Sequence, residues 1–374
     1  MRSFDVAIIG GGLAGSSTAL NLSKKGYSVI VLEKELRRTL ITCAGGMASS
    51  MKKFIPFDVS QAIETEVKQV NFTWKFSDKV IANLCGDSPF WIINREKLDD
   101  LLQKKAIEYG TQIIKPINVE GLKNENDLWH IICSNKDIYK SKFLVIADGS
   151  ESKWASYLKL GPKSPKFATT IGMRLEGLGN IDKNSARFDF GSVQYGFTWA
   201  FPQQNYTNIG LGTFIGNLNI NDPNLINNIV HNFGFADKSF KPIYKKLRIW
   251  NGLNKINNDT VLAVGDAASL SDPFLAEGIR PSLLSSFYAA ECIDNCLTKT
   301  TNDLNDYSKI MRIKWGESMV WGNRIAKVFY RFPKTGYKLG VKRKTAPQRI
   351  AQILSGEMSY ADIAKRVIRR LILR

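Results

Sequence analysis

The sequence is poor in the side chains that carry most acid–base and metal chemistry. It has two histidines, His130 and His231, in unrelated segments, which argues against a histidine-centred triad or a histidine-rich metal site. Both read as surface or satisfied core residues. Cysteine is scarce too: five residues, an odd number, with no C-x-x-C pair, a usage that suits a reducing compartment and not a disulfide framework. Cys292 and Cys296 stand four apart on an expected helix. Without further ligands they read as core packing, and no metal is expected. No stretch approaches the roughly eighteen consecutive apolar residues of a membrane span. The apolar N-terminus does not read as a signal peptide, because Asp5 lies inside it and residues 6–9 run straight into three glycines. Repeats and low-complexity segments are missing as well. The expected location is cytoplasmic, soluble or attached to a membrane from one side.

What is present is ordinary globular composition: 374 residues, 44% hydrophobic, 11% aromatic and 23% charged. That is length for two or three domains with a buried core. Disordered, collagen-like and disulfide-scaffold classes are excluded. The net charge is +18 and unevenly spread: residues 309–374 hold 17 Lys and Arg against Glu317, Glu357 and Asp362, or +14. Trp315, Trp321, Phe329, Tyr330, Phe332, Tyr337 and Tyr360 are interleaved with these charges. Aromatics among basic residues suit a one-sided contact with anionic lipid headgroups. A solvated helical surface, or a docking face for an acidic electron-transfer protein, fits the same pattern. No nucleic-acid motif accompanies the charge, so no nucleic-acid partner is expected.

The chain opens as a β-α-β unit: an apolar run over residues 4–9, a helical stretch over 14–25 and a β-branched run over 27–32. Residues 69–94 turn β-rich (VNFTWKF, KVIANLC, FWIIN), and residues 95–109 read as a helix with Leu98, Leu101, Leu102 and Ala106 at helical spacing. KFLVIA (142–147) and VLAV (261–264) read as buried strands, residues 169–214 as extended and aromatic, and residues 279–297 as a helix. Nucleotide-type elements are thus scattered, with β-rich stretches between them. The expected class is α/β, a Rossmann-like domain interrupted by an antiparallel-sheet domain and followed by a helical basic C-terminal region.

Gly10-Gly11-Gly12-Leu13-Ala14-Gly15 fits G-x-G-x-x-G between the first strand and the first helix. Gly10 allows the tight turn, Gly12 lets backbone approach a pyrophosphate, and Gly15 lets helix and strand pack closely. The helix N-terminus, with Leu13 and Ala14, then offers free N–H groups to phosphates. Glu33 closes the second strand, with Lys34 after it, where a carboxylate can accept hydrogen bonds from ribose hydroxyls. That acid argues for FAD or NAD and against a 2′-phosphate here. A second signal follows VLAV: Gly265-Asp266-Ala267-Ala268, then Asp272-Pro273 and Glu277-Gly278-Ile279. A carboxylate at a strand end can bind a polyol, and a helix starting at Ile279 can face an electron-rich ring. NAD has no ribitol; flavins do.

With these blocks the chain resembles the geranylgeranyl reductase family, a branch of the FAD-dependent enzymes that also include p-hydroxybenzoate hydroxylase. The resemblance implies Asp266 on the ribitol and pyrophosphate, and Pro273, Gly278 and Ile279 beside the isoalloxazine. It further implies Asp148-Gly149 as the superfamily's D-G motif, Arg95 as a flavin-facing arginine and Val119 as an adenine contact. Phe197-Thr198-Trp199-Ala200-Phe201-Pro202, followed by Gly210-Leu211-Gly212, is similar to the aromatic-x-Trp-x-Phe-Pro…Gly-x-Gly signature of the reductase branch, which borders flavin and lipid tunnel. SGEMSYADIAKRVIRR near the C-terminus looks like the ending of that branch. Ser269 and Ala276 stand where the family often has glycine; both are small, and FAD is still expected to bind. Thr42-Cys43-Ala44-Gly45-Gly46 matches a cysteine-glycine segment, so Cys43 either lines the site or is an inert small residue. The implied domains are an FAD-binding domain from residues 1–50, 95–165 and 250–300, a β-rich substrate domain from 51–94 and 166–249, and the helical basic region over 301–374.

The expected activity is hydride transfer from reduced FAD to an isoprenoid C=C bond, the substrate being a prenyl small molecule or lipid held by Phe197, Trp199, Phe201, Pro202, Gly210 and Gly212. The flavin carries the hard step. The proton donor stays open among Tyr195, a structured water and the flavin. With a single dinucleotide fingerprint, the electron donor is a transiently bound NADPH or a ferredoxin-type protein. A flavin monooxygenase and a flavin-containing membrane-associated binding protein are the competing readings.

Overall fold

The computed structural model describes residues 2–36, 43–84, 90–215, 220–235 and 239–372. Thr42 and Cys85 of the segments quoted above lie outside these residues. The strands Gln112–Ile114, Val29–Leu32, Arg2–Ile9, Ile138–Ile146 and Val261–Ala263 pair in parallel in that spatial order. Except in the edge strand Gln112–Ile114, their central residues are buried apolar runs with both faces covered, as a parallel sheet requires. The first half of Ile138–Ile146 turns its other edge to Leu128–Cys133, which pairs with Val119–Glu125, an antiparallel extension. Leu13–Ser23 packs between the helices Ile279–Leu297 and Arg95–Glu108. Ser16, Ser17, Thr18 and Ala19 are fully buried there, and such small residues let helices approach closely. The hydroxyls find carbonyls: Thr18 Oγ1 and Ser286 Oγ both donate to Ala14 O, at 2.9 and 2.7 Å.

A second sheet runs Ile243–Ile249, Lys166–Glu176, Tyr206–Thr213, Gly196–Pro202, Ser185–Phe190, Gln69–Trp74, Ser77–Asn83. It is antiparallel except where Ser185–Phe190 meets Gln69–Trp74. Gly46–Ala48, Phe90–Ile93 and Ile63–Val67 make a third, small sheet. The α/β class with an interrupting antiparallel sheet and a helical C-terminal region is what the structure shows.

The basic C-terminal region is part of the core. Its helices include Asn305–Met311, Glu317–Arg331, Ala346–Ser355 and Tyr360–Ile372. Tyr307, Tyr330, Tyr337 and Tyr360 are wholly buried. Their hydroxyls donate to Ala263 O (3.0 Å), Phe274 O, Asp78 O (2.6 Å) and Asp272 Oδ2 (2.8 Å). Most of the tail aromatics therefore do not form the lipid-facing mixture suggested by composition. They recur at helical spacing and face inward, leaving the Lys and Arg side chains outside. Phe332, at 60% exposed, and the half-buried Trp321 are the exceptions. Among the described residues no helix is long and apolar enough to cross a membrane. Cys292 is buried on its helix, and burial pushes its thiol up to about 12, as for an unreactive core residue.

Candidate active site

A cavity of about 760 Å³ lies where the parallel sheet, the second sheet and the tail meet. One end is built from the first glycine turn. Gly10 has φ +101°, and a Cβ there would sit 2.3 Å from the Ala147 carbonyl, so strand and turn close only around glycine. At Gly15 a Cβ would fall 1.9 Å from Gly10 O. Gly12 is the N-cap of Leu13–Ser23 and no side chain caps it. Gly10, Gly12, Leu13 and Ala14 face the cavity, and Gly15 lies behind them as packing.

Glu33 and Lys34 join the same wall. Glu33 is buried and accepts the N–H groups of Gly11 (2.6 Å) and Glu35 (3.0 Å). These bonds lock the carboxylate at the strand end, on the cavity wall. Val119 is on the wall too, and its carbonyl accepts Lys153 Nζ at 3.1 Å while that ammonium lies 4.5 Å above the Trp154 ring.

The middle of the cavity is set by two aspartates. Asp148 and Gly149 follow the long central strand; burial raises the Asp148 carboxyl, and its Oδ1 is buried without a hydrogen-bond partner. Asp266 lies in the turn after Val261–Ala263 and accepts Ser150 Oγ (2.9 Å) and Ser271 Oγ (2.5 Å). Gly265 is buried behind it against Ala14 and Ser282. The Asp266 side chain does not cap a helix: Ile279–Leu297 starts later, at Gly278, with no side-chain cap. That leaves Gly278 and Ile279 presenting an open helix N-terminus to the cavity. A glycine cradle, an orphaned acceptor that needs a hydroxyl donor and a second open helix end fit FAD, whose phosphates and ribityl hydroxyls supply those partners.

Arg95 opens Arg95–Glu108, where Asn94 accepts Lys97 N–H as the N-cap. Burial works against its charge, but Asp99 (3.1 Å) and then Cys43 hold the guanidinium well above its ordinary value. Cys43 is half-buried on the cavity wall beside Arg95, with Gly45 N–H directed at its sulfur (3.4 Å).

The far end is aromatic. On Gly196–Pro202 the period of two puts Phe197, Trp199 and Phe201 on one face, and that face lines the cavity. Phe197 stacks on Phe214 at 5.2 Å, and Phe201 meets Phe188 and Phe90 edge-on. Gly210 lies opposite Trp199 in the register, and a Cβ at Gly210 would collide with the indole at 2.1 Å. Gly210 and Gly212 thus leave room for the Trp199 indole, while Pro202 does not line the cavity. Pro273 is buried outside the wall, while Leu275, Ala276 and Glu277 of the same loop are on it. Tyr195, at φ +55°, sits half-buried in the turn before the aromatic strand and does not line the cavity. His130 and His231 are likewise elsewhere.

Sequence reasoning did not single out Glu277 as a site. It is a wall carboxyl that burial pushes up to about 7 despite Arg280 beside it. The signal was its place in Glu-Gly-Ile at a helix start. Leu354, contributed by the tail, and Tyr244, Lys245, Lys246 and Leu247, from an edge strand, also line the cavity and carry no local signal.

Residues 5–49 match the family of FAD-dependent oxidoreductases. The digeranylgeranylglycerophospholipid reductase of Methanococcus vannielii is 23% identical over 330 residues, covering 84% of this chain and 83% of its own. A geranylgeranyl bacteriochlorophyll reductase-like protein of Thermoplasma acidophilum superposes with a TM-score of 0.79 at 20% identity, over 95% of this chain and 92% of the other. The flavin-dependent brominase Bmp2 shares the fold at a TM-score of 0.70 and 18% identity, over 99% of this chain and all of its own. The chain is thus an FAD-dependent oxidoreductase, similar along most of its length to geranylgeranyl reductases.

Proposed function

We propose that the protein saturates C=C bonds of a geranylgeranyl-type isoprenoid chain, carried on a prenyl small molecule or lipid. The observation that carries this reading is the single cavity that joins an FAD cradle to the wall of Phe197, Trp199 and Phe201. When bound, reduced FAD supplies the hydride. The chain's own residues do the rest. Gly10, Gly12, Glu33, Asp148 and Asp266 would hold the dinucleotide, with the open helix end at Gly278 and Ile279 on the same cavity wall. The aromatic wall takes the apolar chain and keeps water away from the reduced cofactor. An isolated alkene is a poor hydride acceptor, so positioning and protonation must lower the barrier. Glu277, a wall carboxyl that burial raises to about 7, would be the source of the proton for the second alkene carbon. The electron donor would be NADPH or a ferredoxin-type protein.

The similarity of these sequences to reductases of prenyl lipids supports the substrate class. The test is product mass after incubation of the purified holoenzyme with geranylgeranyl-bearing compounds under dithionite. Two added hydrogens per bond are expected. One added oxygen under air with NADPH, and no reduction, would move the protein to the monooxygenases.

A further inference from the structure

We propose that the outer face of residues 324–344 docks on an anionic lipid bilayer, with Val328, Phe332 and Leu339 entering the headgroup layer. This segment carries eight Lys and Arg and no acidic residue. Its inner face is satisfied: Phe329, Tyr330 and Tyr337 are 0–6% exposed and pack on Phe190, Phe214 and Phe274. The outer face is a different kind of surface. Val328, Phe332 and Leu339 are 66%, 60% and 52% exposed, so apolar side chains stand in water although the core beneath them is complete. Arg324, Lys327, Val328 and Arg331 recur at i, i+3, i+4 and i+7, which puts apolar tip and charges on one helical face. Pro333 then breaks the helix and leaves Phe332 projecting at the corner. Lys342 pairs with Asp78 at 2.6 Å and ties the end of the segment to the second sheet.

Phosphates alone would be met by the charges and would gain nothing from exposed Val, Phe and Leu. A bilayer with anionic lipid takes both, the cations at the headgroups and the apolar tips just below them. The placement also has a use. Tyr330, on the same helix, stacks on Phe214 at 5.2 Å, and Phe214 stacks on the cavity-wall ring of Phe197 at 5.2 Å. The docking face is therefore two rings from the cavity, and a bilayer bound there lies beside the apolar end of the site.

The experiment is flotation of the flavin-loaded holoenzyme with phosphatidylcholine vesicles, with and without phosphatidylglycerol. Binding to the anionic vesicles only, weakening with added salt, is the expected result. A Lys327→Glu/Arg331→Glu/Lys338→Glu variant should bind about a hundredfold more weakly, and Val328→Ser/Phe332→Ser/Leu339→Ser about tenfold. Both variants should keep the wild-type flavin content and the wild-type rate on detergent-solubilised substrate, so failure of docking and failure of the reductase reading give different results. Wild-type protein that ignores anionic vesicles, or that is retained only by an acidic protein or a nucleic acid, would overturn the proposal. Equal vesicle binding by both variants would do the same.

Discussion

Arg280 Nη2 meets Glu277 Oε2 at 3.0 Å and its Nε meets Oε1 at 3.1 Å, while the same Nη2 donates to the carbonyls of Ile353 and Leu354 at 2.9 Å. A cavity-wall carboxyl is thereby tied to the C-terminal end of a tail helix, where a cation also suits the helix dipole. Burial raises Glu277 from 4.5 to about 7, with Arg280 pulling the other way. In the folded protein the group binds its proton over a window where the unfolded chain has lost it. Folding stability from this residue therefore falls as pH rises from about 4.5 to 7.

Alkene reduction by pre-reduced enzyme should be level below pH 7 and decline above it, as the Glu277 proton is lost. Glu277→Gln keeps the shape and removes the titration. It should slow alkene reduction by about 10²- to 10⁴-fold, the range for loss of a general acid, and abolish that decline. A Glu277→Gln enzyme with a wild-type rate and profile would place the proton elsewhere.

Ser269 and Ala276 both stand at φ +57°, a left-handed conformation that costs a non-glycine residue about 1–2 kcal/mol. The added freedom of glycine in the unfolded chain returns about 0.4–1 kcal/mol of that. Ser269→Gly and Ala276→Gly should therefore each be neutral to about 1 kcal/mol stabilising in urea unfolding, with flavin content unchanged. A clear loss of stability would show that these side chains contribute contacts that outweigh their backbone strain.

The parts of the site that were legible in sequence are those whose signal is local. Gly10, Gly12, Gly15 and Glu33 fall within one β-α-β unit, and Phe197, Trp199 and Phe201 share a face simply because a strand has a period of two. The helix Ile279–Leu297 begins and ends where its pattern does. Leu354 lines the cavity from a helix end whose carbonyls accept Arg280, and Lys245 and Lys246 from a strand at the sheet's edge. Such long-range placement leaves no mark on neighbouring residues. Composition also counted the tail's tyrosines with its lysines, while helical spacing sends them to opposite sides and leaves Phe332 with the charges. Tyr195 stood close in sequence to the aromatic strand, yet the turn carries it off the cavity wall.

Tyr360 and Asp272 form the second tie between tail and cofactor loop. Asp272 Oδ1 accepts the N–H groups of Phe274 (2.7 Å) and Leu275 (3.0 Å), and Oδ2 accepts the Tyr360 hydroxyl. Burial raises the Asp272 carboxyl, and these bonds pull it back. Tyr360→Phe leaves a buried carboxylate oxygen short of a donor, at a cost of about 1–3 kcal/mol. Because the missing bond serves the charged form, the loss should grow as pH rises and shrink in acid, where Asp272 takes up its proton. Unfolding curves at two pH values would show it; a loss independent of pH would mean that only packing was disturbed.

Trp199 fills a slot that exists because residue 210 is glycine. Trp199→Ala should cost about 3–5 kcal/mol of stability, retain FAD, and raise the KM for a long prenyl chain. Gly210→Ala pushes on the indole from behind and should move the same KM without removing the side chain. If both variants lose flavin instead, the aromatic wall supports the cofactor and not the chain.

The most direct measurement is a single turnover without oxygen. Purified yellow protein is reduced with dithionite, freed of excess reductant and mixed with a geranylgeranyl-bearing lipid, and the flavin absorbance is followed. The yellow colour should return at a rate that depends on the lipid, with one bond saturated per flavin reoxidised. Flavin that stays reduced in the presence of the lipid, or protein that takes up no FAD at all, would contradict it.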